Sequence, residues 1–165
     1  MKLSERLTDE LKQLAGHNGP AVKTVSASDS AKGIDVALDV TAVDSLSCSL
    51  AELRLRVPSL ATAGVDLLRQ WAADFCKRIT YLLEHIGPLE VDPTNGKVLV
   101  RSTTPDRQDG SATFYEILLQ SHSSGNFTLR RYRTEKSPPS RTRVDIFVTH
   151  EVLSKLVNDL VDTVP

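Results

Sequence analysis

Apolar and polar positions alternate along this chain in two distinct rhythms. Near the start, Leu3, Leu7, Leu11 and Leu14 recur at spacings of three and four. They form a narrow stripe on an otherwise polar helix, with Ser4 as its cap and Glu5 and Asp9 toward its positive end. Gly16 and the His-Asn-Gly-Pro that follows stop it. From Ala21 to Gly33 the chain is rich in Ser, Ala and Lys and reads as a linker, with a short extended piece at Ala21–Val25. The rhythm then changes to two. Ile34, Val36, Leu38 and Val40 alternate with Asp35, Ala37, Asp39 and Thr41, which marks a half-buried strand. Ala51, Leu53, Leu55 and Val57 alternate with Leu50, Glu52, Arg54 and Arg56. A turn at Asp44-Ser45 places Asp35 opposite Arg54, so that opposite charges pair on the solvent face.

The helical rhythm returns after Pro58-Ser59. Gly64, Leu68, Trp71, Ala72, Phe75, Ile79, Leu82, Leu83 and Ile86 share one arc. Asp66, Gln70, Asp74, Lys77, Tyr81 and Glu84 lie opposite. This predicts a long helix to about Ile86, ended by Gly87-Pro88 and lying across a sheet. Five strands follow, at Leu89–Asp92, Lys97–Ser102, Ala112–Gln120, Asn126–Arg133 and Arg141–Val148. Pro-Thr-Asn-Gly, the polar loop Thr104–Gly110, Ser-His-Ser-Ser-Gly and the loop Thr134–Ser140 connect them. Thr149 caps a closing helix with Leu153, Leu156, Val157 and Leu160 on its apolar face. The expected fold is α+β, in the order α-ββ-α-βββββ-α, with a mostly antiparallel sheet and helices on one face. Residues 1–165 read as a single α+β domain: an N-terminal helix over 1–16, a linker over 17–33 and a sheet-and-helix core over 34–165. Doubly wound nucleotide folds need alternating βα units, which this order lacks.

Composition changes this picture little. About 40% of residues are apolar, enough for a core without disulfide or metal staples. The charges nearly cancel, with 20 Lys+Arg against 21 Asp+Glu, which argues against a protein that grips nucleic acid through its overall field. No stretch of signal-peptide type opens the sequence, and no run reaches transmembrane length. Cys48 and Cys76 sit apart in apolar contexts and read as buried, reduced thiols. The expectation is a cytoplasmic protein with no membrane contact.

Motifs for catalysis and cofactor binding are missing: GxGxxG, a Gly-rich loop ending in Lys-Ser/Thr, GxSxG, HExxH and CxxC. No cofactor, metal site or catalytic residue is expected. His17, His85, His122 and His150 have no chelating partners at ligand spacing. His85 belongs to the last turn of the long helix, His122 to a hairpin turn, and His150 to the first turn of the closing helix. Asp35 and Asp39 share a strand face, where Arg54 and Arg56 neutralise them.

One cluster carries more information. A five-residue turn over Ser121–Gly125 sets Gln120 against Asn126, Ile117 and Leu119 against Leu129 and Phe127, Phe114 against Tyr132, and Glu116 against Arg130. With Leu129 beside Val144, Arg143 falls near Arg130 and Arg141 near Tyr132. The non-core face then reads Phe114, Glu116, Arg130, Tyr132, Arg141, Arg143, Asp145, Phe147. Arginines interleaved with aromatics can hold phosphates and stack bases, or bind an acidic peptide. They can equally form a half-solvated surface whose charges cancel and whose rings cover each other.

The element order resembles that of small bacterial secretion chaperones, which are dimeric helix-on-sheet proteins. The likeness is one of architecture alone, and no residue is carried over from it. Those proteins are strongly acidic, and this chain is not. The leading functional expectation is a non-enzymatic binding or adaptor domain that works through protein-protein contacts, as a homodimer. The alternative is a binder of nucleic acid or a phosphorylated ligand through Phe114, Arg130, Tyr132, Arg141 and Arg143. An enzyme built on His150, Glu151, His122 and Asp145 ranks third.

Overall fold

A leucine stripe as narrow as that of the first helix must dock to be ordered, because a helix of this length is marginal alone in water. The computed structural model describes residues 1–82, 86–102, 106–121 and 126–165, without the side chains at 88, 89 and 106. In it, helix α1 (Leu3–Gln13) docks on its own chain, against the closing helix α3 (His150–Asp162) and strand β1 (Asn18–Asp29). Leu3, Leu7 and Leu11 are buried. Lys2, not Ser4, is the cap, and its N–H donates to Glu5 Oε2 at 2.9 Å. Ser4 is instead buried inside the helix. Its hydroxyl donates to Asn158 Oδ1 at 2.7 Å, and Thr8 meets Ser154 at 3.0 Å, so small polar residues line the α1–α3 seam.

The expected linker is the first correction, because β1 occupies most of it. β1 pairs antiparallel with β2 (Ile34–Val43), from Lys23↔Val40 to Asp29↔Ile34. It lies at the edge of the sheet and buries only Val25 along its length. An edge strand needs few apolar residues, so its composition looks like that of a loop. In β3 (Ser47–Arg56) the expected alternation holds for Leu53 and Leu55 and then breaks. Asp39 faces Glu52 while Val40 faces Leu50, so Ala51 is a bulge and Leu50 and Cys48 turn inward. Val43 pairs with Cys48 across a turn wider than Asp44-Ser45, so Arg54 faces Ala37, and Asp35 faces Arg56, not Arg54.

The long helix is the second correction. A 3₁₀ turn at Pro58–Leu60 precedes α2, which runs only from Val65 to Arg78, and Ile86–Asp92 is strand β4. Gly87 and Pro88 lie in that strand. Ile79, Leu82 and Ile86 are nevertheless buried, because the chain stays against the core after leaving the helix. Tyr81, expected on the wet side, turns partly inward and donates to Asp159 Oδ2 at 2.7 Å. Leu83, Glu84, His85 and His122 lie outside the described residues.

The remaining strands are β5 (Lys97–Ser102), β6 (Asp106–Gln108), β7 (Ser111–Gln120), β8 (Asn126–Lys136), β9 (Pro139–Val144) and β10 (Ile146–Thr149). The polar loop Thr104–Gly110 thus contains a short strand, and Gly110, at φ 72°, makes the turn into β7. β8 runs into the expected loop at 134–140 as far as Lys136, and β9 takes up its last two residues. The described residues form one antiparallel sheet of ten strands, in the order β1-β2-β3-β8-β7-β5-β4, with β6 on β7, β9 on β8 and β10 on β3. The fold is α+β, as expected.

One row of pairs shows how the core is built. Val25, Leu38, Leu53, Leu129, Ile117 and Val100 lie side by side across six strands, and all are buried. Trp71 and Phe75 of α2 cover the middle of this face. Phe127 meets Phe75 edge-on at 5.3 Å and Trp71 at 5.7 Å. Thr149 caps α3 by accepting from the Val152 N–H at 3.1 Å. Both cysteines are free; burial pushes the Cys48 thiol up to about 12, with Asp44 adding to the rise, and the Cys76 thiol up to about 11. No helix of the described residues is long and apolar enough to cross a membrane.

Candidate functional site

Successive residues of a strand point to opposite faces, so one step from the apolar row a second row faces outward. It reads Asp39, Glu52, Arg130, Glu116, Arg101 across β2, β3, β8, β7 and β5. Opposite charges neighbour each other along most of it, and two features add more arginines.

The first is the way β3 and β8 part. Among the described residues they share Leu53↔Leu129, Arg54↔Thr128 and Leu55↔Phe127. Beyond that point β9 continues on β8 and β10 on β3, with the change of partner at Asp145. The expected single strand Arg141–Val148 is therefore split. The second feature is the β8–β9 turn, which is tighter than a loop over 134–140 allows: Lys136 faces Pro139. Val144 consequently lies beside Arg131, not Leu129; Arg143 lies beside Tyr132, and Arg141 beside Thr134. The shift is an even number of residues, so Arg141 and Arg143 keep the expected face.

Glu52 is the centre of the cluster. It is only 5% exposed, yet three arginines reach it. Arg130 Nε donates to Oε2 at 2.6 Å and Arg54 Nη1 to Oε1 at 3.3 Å, while Arg143 Nη2 stands 3.6 Å from Oε2. Arg143 Nη2 also donates to the carbonyl of the bulged Ala51 at 3.1 Å. Arg54 extends the network to Asp39, with Nη2 3.1 Å from Oδ1. The hydrogen bond from Arg54 holds the Asp39 carboxyl below the usual carboxylate value, and Thr24 helps. A lowered carboxyl stabilises the fold above its ordinary pKa of 3.8 and loses that contribution as pH falls through the depressed value.

A second carboxylate does the same work nearby. Glu116 Oε2 accepts from Arg101 Nε at 3.0 Å and from Arg141 Nη2 at 2.7 Å. The Phe114 and Tyr132 rings stack at 6.0 Å. Arg141 lies over the Tyr132 ring at 4.0 Å, and Arg101 is 5.6 Å from the Phe114 centroid. Arg130 is held above its ordinary pKa by hydrogen bonds to Tyr132 and Glu52. All five residues expected to form a ligand face, Phe114, Arg130, Tyr132, Arg141 and Arg143, are thus brought together. Each of their guanidinium groups has an acceptor in this same chain, and the two rings are covered by each other and by arginine.

Of the residues expected to supply enzyme chemistry, His122 lies outside the described residues, and His150, Asp145 and Glu151 have separate surroundings. His150 is buried, and its Nε2 donates to the Asp44 carbonyl at 3.0 Å, which pins the start of α3 to the β2–β3 turn. Asp145 accepts from Thr41 at 2.8 Å, and Glu151 is exposed. Among the described residues, no group of three His, Cys, Asp or Glu could hold a metal ion.

Sequence reasoning placed Phe114, Glu116, Arg130 and Tyr132 in their observed register but left Glu52, Arg54, Asp39 and Arg101 out of the cluster. Setting Leu53 beside Leu129 would have found Glu52. Phe147 also falls on this face, at 68% exposure, and Leu46 is 76% exposed at the same end of the sheet. Beside Phe147 lies a shallow cavity of about 220 Å³, lined by the small Gly16, Ala42 and Ser49 and by the polar His17, Asn18 and Asp44. No protein-family model, curated protein or solved structure matches this chain.

Proposed function

We propose that this chain is a non-enzymatic binding domain that acts through protein-protein contacts, using the outer sheet face around Phe147. The observation that carries this reading is the contrast on that face. The arginines are matched by carboxylates of the same chain, whereas Phe147 stands uncovered beside a shallow cavity. Burying a phenylalanine contributes about 2–3 kcal/mol, and interfaces depend on a few such anchors. A phosphate would have to displace Glu52 or Glu116 to claim the same arginines. A base would have to displace Arg141 from Tyr132. The protein reading requires neither. Two free thiols agree with a reducing compartment such as the cytoplasm.

A photoreactive phenylalanine analogue at position 147, introduced in the cells of origin, tests this. We expect a discrete protein adduct at position 147 and none when the analogue replaces the exposed Leu67, which lies on α2 away from this face. The reading fails if position 147 gives no protein adduct, or the same adducts as position 67.

A further inference from the structure

An edge strand presents N–H and C=O groups with no partner, and folded proteins blunt such edges with prolines, bulges and charges. β4 carries Pro88 and a break in register between Pro88 and Glu90. β9 begins with Pro139 and carries Arg141 and Arg143. β1 is blunted only in its first half, by Pro20 and the register break between Asn18 and Lys23. From Lys23 to Asp29, seven consecutive residues run in unbroken register with β2, and among the described residues no strand pairs with their other edge.

We propose that this edge pairs with the same edge of a second copy, joining two sheets into one across a two-fold axis. The argument for a second copy as the occupant is self-complementarity. In a continuous antiparallel sheet, inward residues must face inward residues, so paired positions sum to an even number. The register centred on Ser26 meets this condition. It places Lys23 opposite Asp29 of the second copy, and Asp29 opposite its Lys23. These are the only two charged residues in β1. Thr24 then faces Ser28 on the outer side, and Val25 faces Ala27 on the core side, continuing the apolar row of each copy. Thr-Ser and opposite-charge pairs are favourable across antiparallel strands. A two-fold contact counts each of them twice. Asp29 Oδ1 accepts from the Lys32 N–H at 3.1 Å, which leaves Oδ2 for the incoming lysine.

This inference does not rest on the reading of the Phe147 face, and its test is separate. Sedimentation of the full chain between about 1 and about 500 µM is expected to show a monomer–dimer equilibrium. Lys23→Asp and Asp29→Lys should each weaken dimerisation at least about tenfold, because each sets like charges opposite one another. The double variant K23D/D29K should restore it, since the swapped charges again match. Unchanged unfolding midpoints of the single variants would confirm that the loss belongs to assembly. A wild-type monomer throughout the range, or a dimer that K23D leaves intact, would overturn the proposal. So would failure of the double variant to recover.

Discussion

Phe75→Ala is expected to lower the stability of the fold by about 3–5 kcal/mol, and Lys77→Ala by less than about 0.5 kcal/mol. The two residues lie two positions apart on α2, and the difference between them is one of face. Phe75 is 1% exposed and meets Phe127 edge-on in the layer between α2 and the sheet. Truncating it removes apolar area and leaves a cavity between Trp71, Phe127, Ile117 and Val100, which surround the same space. Backbone on both sides of that layer is held in helix and sheet, so collapse is restricted. Lys77 is exposed in the last turn and gives up only a favourable position near the helix C-terminus. Denaturant midpoints at constant slope measure both. Equal effects would mean that α2 does not pack by its Phe75 face.

Glu52→Ala is the second large effect, expected at about 2–3 kcal/mol, against less than about 0.5 for Glu135→Ala. Glu52 sits where β3 and β8 part, and its carboxylate is what allows Arg54, Arg130 and Arg143 to converge there. Removing one partner of a buried pair usually costs more, about 3–5 kcal/mol. Here the arginine side chains are 37–42% exposed, so water recovers part of the loss. Arg133–Glu135 is a useful control at 3.3 Å, because both of its partners are well exposed. Glu52→Gln keeps the shape and loses the charge, and should fall between the two. If Glu52→Ala were as mild as Glu135→Ala, the cluster would not be a framework of the sheet.

Particular residues show why some of this was legible beforehand. The β7–β8 hairpin followed from its alternation and a turn of definite length, and every predicted pair from Phe114↔Tyr132 to Gln120↔Asn126 is present. The apolar face of α2 was also legible, but its end was not. Ile79, Leu82 and Ile86 continue the helical period by coincidence of burial, while the backbone has already left the helix. Only Ala21–Val25 of β1 was read as extended, because its single buried side chain, Val25, gives no alternation to read. The register of β9 was missed because Pro138-Pro139 suggests a loop. Pro139 can nevertheless open a strand, since its missing N–H costs little at an edge position. The bulge at Ala51 reverses the alternation below it and misplaced Ala51 and Leu50, while Glu52 was read on the correct face but not in the cluster. Its role also depends on β3 meeting β8, a pairing of residues far apart in sequence.

On the proposed function, the outer-face arginines are committed to this chain's own carboxylates and are not available to phosphate-bearing ligands. Fluorescence anisotropy of a labelled single-stranded oligonucleotide tests it most directly, with wild type and the variant R130A/R141A/R143A titrated at low and raised salt. We expect no salt-sensitive binding to wild type, and no difference between the two proteins. Wild-type binding that weakens steeply with salt and disappears in the variant would contradict it.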